Sequence, residues 1–195
     1  RIKKHISSGN LLDIGGGMGK FSEYMNNNGF SVTLQDNHSN YSGNLEFYND
    51  ILKINSKFNV ITMWHVLEHI HDLKQLFKFV NNRLEKNGVF VLAVPNHNAV
   101  ERNFYKKNWA PYDAPRHLYH FDEFSLSKIL KLNNFKIVNS YSLIQDSFYN
   151  ILLSIKNYNL INIIKSIHIS MLCVYKTILG GASSSSSIMI ICKKK

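Results

Sequence analysis

The stretch from Leu11 to Phe21, LLDIGGGMGKF, constrains this chain more than any other. An apolar run (Leu11, Leu12, Ile14) carries one acid, Asp13, and then turns through four glycines. Such a run suits a buried parallel strand, and glycines permit positive φ and let a ligand approach the main chain closely. Lys20 to Asn28 predicts a helix whose N-terminus points back at the turn. Strand, turn and helix together describe a nucleotide-type pocket in an α/β fold.

Spacing discriminates among the glycine motifs. A Walker A loop requires GxxxxGK followed by Ser or Thr, but Ile14 stands at the first glycine position and Phe21 at the hydroxyl position. A GxGxxG dinucleotide fingerprint finds Gly15 and Gly17 in place, but Lys20 where the third glycine belongs. DxGxGxG fits without exception, as Asp13, Gly15, Gly17 and Gly19. This resembles motif I of the class I S-adenosylmethionine-dependent methyltransferases. A cofactor with a sulfonium and an amino group, and no phosphate, tolerates an acid beside the turn.

The resemblance implies a doubly wound, Rossmann-like, seven-stranded sheet, mostly parallel with an antiparallel last strand and helices on both faces. The cofactor implied is S-adenosyl-L-methionine. Asp36 closes a short strand, Ser31 to Gln35, roughly twenty residues past the turn, where such folds place a ribose-binding acid. Its carboxylate can accept from both ribose hydroxyls, with Asn37 beside it in the expected cofactor set, and the polar run LQDNHSN allows a plain turn residue as the other reading of Asp36. After a third strand, Leu45 to Tyr48, Asp50 and Ile51 match the family positions that meet adenine, and Asp50 equally suits a helix N-cap. Gly16 completes the expected cofactor set within the turn.

Phe58 to Trp64 is a central strand that empties into HVLEHIHDL. His65, Glu68, His69, His71 and Asp72 crowd there, yet HExxH is absent and HxxxHxH is no settled ligand spacing, so no metal is expected. The run from Phe58 to Asn96 resembles methyltransferases of the ubiquinone and natural-product type: strand, HVLEHI, helix, Asn87-Gly88, strand, Pro95-Asn96. In that group Trp64 and His65 flank the cofactor, and Glu68 and His69 orient the loop.

Residues 96–121 form a long loop rich in aromatics and histidines, expected to act as a lid over the substrate. Its PRHLYHF piece, Pro115 to Phe121, is shared with the same group. Arg116, His117, Tyr119 and His120 are the substrate-side candidates, with Trp109 and Tyr112 as walls. An oxygen acceptor needs a base with a pKa near neutrality, which makes His117, His120 and His65 the catalytic candidates. The bland alternative is that Arg116 and one histidine satisfy backbone carbonyls of the loop.

A helix from Asp122 to Asn133 and strands at Phe135 to Leu143 and Ile188 to Cys192 complete the expected sheet. Between them, 151–179 is apolar but interrupted by lysines and asparagines, so no uncharged run of about eighteen residues marks a membrane span. On a helical wheel Asn162, Lys165, Ser166, Ser170, Lys176 and Thr177 share one side, and Ile161, Ile164, Ile167, Met171, Val174 and Ile178 the other. Packing of the greasy side onto the domain is the default; a cover for a lipophilic substrate, a dimer contact or a peripheral membrane contact are the other options. Gly180 to Ser187, with five serines, is expected to be a mobile turn.

At 195 residues, 45% hydrophobic and 18% charged, the chain fits a single globular domain, as monomer or homodimer. Cys173 and Cys192 lack metal-ligand spacing, which fits a reduced, cytoplasmic or membrane-peripheral protein. The net charge of +10 is scattered, so nucleic acid is not the expected partner. The leading reading is methyl transfer to an oxygen of a small molecule. An RNA methyltransferase or binder, and a non-catalytic membrane-associated protein of the same fold, remain the alternatives.

Overall fold

Val89 to Val94 is apolar at every position and Leu11 to Ile14 at all but Asp13, and strands of that kind are stable only with both faces covered. The computed structural model, which describes residues 1–195, satisfies this with a single seven-stranded sheet of order β3-β2-β1-β4-β5-β7-β6. The elements are β1 (Gly9–Ile14), α1 (Lys20–Asn26), β2 (Phe30–Gln35), β3 (Glu46–Tyr48), β4 (Phe58–Trp64), α2 (Leu73–Arg83), β5 (Leu84–Pro95), α3 (Arg102–Tyr105), α4 (Glu123–Leu132), β6 (Phe135–Ser142), α5 (Ile144–Ser154), α6 (Leu160–Gly180) and β7 (Ser187–Lys194). The pairs among β1 to β5 are parallel, and β7 lies antiparallel between β5 and β6. This is the Rossmann-like arrangement expected from the glycine turn. The chain steps outward from β1 to β3 and then returns to place β4 on the other side of β1. A topological switch point therefore lies between the C-terminal ends of β1 and β4, where ligands bind in such sheets.

Alternate strand residues feed two cores. Leu12, Ile14, Ile61, Met63 and Phe90 pack beneath α2 and α4, which contribute Phe77, Val80, Leu126 and Leu130. Leu11, Val32, Val60 and Val91 face the opposite side, with Met25 of α1. Asp122 caps α4 through a reciprocal box with Ser125.

Ahead of β1 the chain makes a 3-10 turn at Ile2–Lys4. Three local expectations are revised. Helix α2 stops at Arg83 and not at Asn87-Gly88, because Leu84 is fully buried in register with Phe58 and the chain arches out before Val89 pairs with Val60. The apolar insertion is two helices, α5 and α6, broken at 155–159. The serine run is packed, with Ser185, Ser186 and Ser187 fully buried and held by Asn96, whose Nδ2 donates to the carbonyls of Ser183 and Ser185.

The larger correction concerns the polarity of α6. Its small and polar residues Ser166, Cys173 and Thr177 face the domain together with Ile169, while Ile161, Ile164, Ile167, Met171 and Ile178 are exposed. The greasy side points outward because the inward side meets polar partners: Tyr105 Oη lies 2.9 Å from Ser166 Oγ, and Cys173 Sγ donates to the buried Glu101 carboxylate. By length and composition Leu160–Ser184 is also long and apolar enough to cross a membrane, despite its lysines.

Candidate functional site

The glycine turn is held from beneath by a buried polar knot. Asp13 is fully buried and accepts hydrogen bonds from Ser22 Oγ and Thr62 Oγ1, both at 2.7 Å. Burial pushes its carboxyl up to about 6, against the opposing pull of those two hydroxyls. Its side chain thus points beneath the turn, at Ser22 and Thr62. Gly16 lies directly above, where a Cβ would press on Asp13 Oδ2 and Leu34. Gly17 sits at φ 57° with no atom within 4 Å of where its Cβ would be, so the chain borders open space there.

Asp36, at the end of β2, reaches the same turn. One carboxylate oxygen accepts from Gly17 N at 2.9 Å, and the other from His38 N and Ser39 N at 2.8 Å. Asn37 Oδ1 accepts from Gln35 Nε2. Asp50 accepts from Leu52 N, as an N-cap, and Ile51 rests against the main core. Gly15, Gly16, Gly17, Asp36, Asn37, Asp50 and Ile51 thus stand at or just past the C-terminal ends of β1, β2 and β3. Trp64, at the end of β4, packs edge-on to Phe21 at 5.0 Å and has an indole N–H without a partner.

Each of the three candidate bases has its own set of partners. His65, at φ 55°, has Nε2 3.0 Å from Asp146 of α5 and Nδ1 3.5 Å from Glu68. Burial would lower its pKa, but the two carboxylates outweigh that and raise it to about 9. His117 Nδ1 is 2.7 Å from the Pro111 carbonyl, and its ring packs edge-on against His69 at 4.6 Å. His120 stacks on His97 and meets Tyr112 edge-on. Burial and the neighbouring His97 and His117 hold its pKa below the ordinary value.

The loop 96–121 is pinned at both ends and docked in the middle. Asn96 bridges Phe121, Leu118 N donates to Glu68 O, and Ala110 N donates to Ser154 Oγ of α5. Trp109 is a buried anchor and not a wall, whereas Tyr112 and His120 line an open groove of about 660 Å³ with Arg102, Lys106 and Lys107. Arg116 is exposed and paired with Asp113 at 2.7 Å, and Tyr119 is exposed as well. Thr62 and Asp146 were not among the expected residues. Thr62, the one hydroxyl in FNVITMW, carried a signal; Asp146, 81 positions from His65, carried none.

Residues 1–140 match the family model described as a methyltransferase domain. The chain belongs to this methyltransferase family. Among solved structures it is similar to the Burkholderia thailandensis 1,6-didemethyltoxoflavin-N1-methyltransferase, with TM-score 0.64 and 15% identity over 100% of this chain and 75% of that one. It is also similar to an S-adenosylmethionine-dependent methyltransferase from Archaeoglobus fulgidus, with TM-score 0.61 and 18% identity over 98% and 89%. Phosphoethanolamine N-methyltransferase 2 of Haemonchus contortus gives TM-score 0.61 and 12% identity over 98% of this chain and 50% of that one. At these identities the likeness is one of fold. No curated protein matches the sequence.

Proposed function

We propose that this methyltransferase binds S-adenosylmethionine at the switch point and transfers its methyl group to an oxygen of a small, lipophilic acceptor. The observation that carries the reading is the Asp36 carboxylate joined to Gly17 N at the mouth of a turn whose backbone borders open space. The residues fit the cofactor: an acid for ribose hydroxyls, an open glycine, and Asp50 with Ile51 at the neighbouring strand end. When bound, the cofactor supplies a methyl on a sulfonium whose sulfur is already a leaving group. The protein's task is then alignment, exclusion of water and removal of the acceptor proton. His120 suits the last role, since burial and its histidine neighbours hold its pKa below the ordinary value, which favours the neutral base, and it lines an open groove of the loop 96–121. His65 has both ring nitrogens engaged by carboxylates, which leaves it to hold β4 against α5.

The outward face of the α5–α6 hairpin supports the lipophilic part of this reading. A groove of about 760 Å³ runs between the helices, lined by Phe148, Leu152, Ile163, Ile167, Met171 and Ile178. Lys156, Lys165 and Lys176 stand on the same hairpin, whose one acid, Asp146, is turned to His65. An apolar strip bordered by lysines matches an anionic membrane surface, from which an acceptor could be drawn.

Calorimetric titration with S-adenosylhomocysteine should give one saturable site per chain; a folded sample that gives no heat of binding would reject the reading. Methyl-labelled cofactor incubated with a cell extract should label the small-molecule fraction, and label confined to RNA would favour the nucleic-acid alternative.

A further inference from the structure

The turn after β4 and the loop 96–121 meet at a second cluster of side chains. Leu118 N and Tyr119 N both donate to the carbonyl of Glu68, and this backbone clasp sets His117 beside His69. One ligand-capable atom from each of Glu68, His69 and His117 lies within 4.8 Å of the other two.

We propose that Glu68, His69 and His117 form a binding site for a divalent transition-metal ion of the zinc class. Two independent features support it. The first is the state of the histidines. His69 Nδ1 lies 2.9 Å from Arg116 O, and His117 Nδ1 2.7 Å from Pro111 O. A carbonyl can only accept, so each Nδ1 carries a proton, and in the neutral ring the lone pair then falls on Nε2. A backbone acceptor on the far nitrogen is how metal-bound imidazoles are oriented. His117 Nε2 has only a loose approach from Asp113, at 3.7 Å.

The second feature is Glu68. Its side chain is 1% exposed, and neither carboxylate oxygen has a hydrogen-bond partner. The nearest cation is His65 Nδ1, a loose ion-pair partner 3.5 Å from Oε1, and Oε2 is left without a hydrogen-bond partner. Buried carboxylates are ordinarily hydrogen-bonded as well as paired, or else bound to a metal, since desolvating their oxygens is costly.

Two imidazoles and a carboxylate suit Zn²⁺ and its neighbours better than Mg²⁺ or Ca²⁺, which favour all-oxygen shells. Ligand atoms around zinc stand about 3.3–3.5 Å apart, given bonds of roughly 2.0–2.1 Å. Binding therefore requires the set to contract from its present spacing, by rotation of the partly exposed His69 and of His117. Three protein ligands leave a fourth position open on a tetrahedral ion. The inference does not depend on the methyl-transfer reading, because it rests on ligand geometry alone.

The test is titration of the full chain, stripped with chelator, with Zn²⁺ and separately with Mg²⁺, followed by calorimetry. Co²⁺ loading reports the coordination geometry through its visible absorption. Wild type should take up one Zn²⁺ per chain that Mg²⁺ does not displace, and show a tetrahedral Co²⁺ spectrum. Glu68→Gln, His69→Gln and His117→Gln should each weaken Zn²⁺ at least tenfold, while His71→Gln, an exposed neighbour, should leave it unchanged. Glu68→Gln tests a buried site and could perturb the fold, so the two histidine variants, with thermal melts in the presence of chelator, carry the decision. Unchanged affinity in both histidine variants, or no saturable Zn²⁺ binding by a folded wild type, would overturn the proposal. S-Adenosylhomocysteine binding measured on the same samples keeps a failure of the metal site distinct from a failure of the cofactor site.

Discussion

Two parts of the molecule bury polar side chains, and they do so in different ways. Beneath the glycine turn, both oxygens of Asp13 are met by hydroxyl donors, and the turn above is tied to Asp36. Behind α6, Glu101 is fully buried with one oxygen met by Cys173 and the other unpartnered, and Thr177 Oγ1 has no partner. A satisfied buried network fixes one geometry, whereas a half-satisfied one costs stability without fixing anything. The first region therefore reads as a precise ligand platform. The second reads as an imperfectly satisfied seam between α6 and the loop 96–121.

The sharpest way to break this contrast is at the cofactor end. Asp36→Ala removes the acceptor for Gly17, His38 and Ser39 and the proposed ribose contact in one step. Loss of charge-assisted hydrogen bonds worth roughly 2–3 kcal/mol should lower S-adenosylhomocysteine affinity about 30- to 150-fold. Glu101→Gln, in the second region, should leave that affinity within twofold. Calorimetry on both variants decides, and equal losses would erase the distinction between the regions.

Much of the first region was legible in sequence, because backbone demands choose residue types directly. Only glycine suits Gly17, and an all-apolar strand must be buried, so the order of strands and turn followed from LLDIGGGMGKF and the later apolar runs. Asp13 was legible as important but not as to its direction. Strand alternation alone does not say whether an acid points at a ligand or at Ser22 and Thr62. The hairpin was misjudged because a helical wheel identifies two faces without saying which is inward. Inward burial of Ser166 and Cys173 depends on Tyr105 and Glu101, more than sixty positions away. The Glu68, His69 and His117 cluster was hidden for a similar reason. Local spacing offered no zinc pattern, and the third ligand arrives through a long loop clasped to the Glu68 carbonyl.

Asp13 offers a second, smaller test of the satisfied network. Its carboxyl is raised to about 6, so between pH 4 and 6 the folded chain keeps a proton that the unfolded chain has already released. Stability contributed by the neutral acid is complete below about pH 4 and is lost as pH rises through 6, an effect of up to roughly 3 kcal/mol. Denaturant midpoints across that window should fall with pH in wild type, beyond any trend shared with Asp13→Asn. Parallel pH profiles for the two proteins would mean that Asp13 titrates normally and the network is looser than drawn.

The hairpin allows the contrast to be tested from its own two faces. Ser166→Leu forces a larger side chain into the contact with Tyr105 and should destabilise the chain by about 1–3 kcal/mol. Ile164→Gln and Ile167→Gln, on the outward face, lie at 58% and 52% exposure and should each shift stability by less than about 0.5 kcal/mol. A helix packed greasy-side inward would give the reverse order. The outward pair should still matter where stability does not register it: cosedimentation with vesicles containing phosphatidylserine should fall several-fold in the double variant, while neutral vesicles bind wild type weakly. If the double variant sediments as wild type does, the exposed apolar face is not a membrane contact. The inverted polarity of α6 would then be left serving some other partner, without altering the fold that places it there.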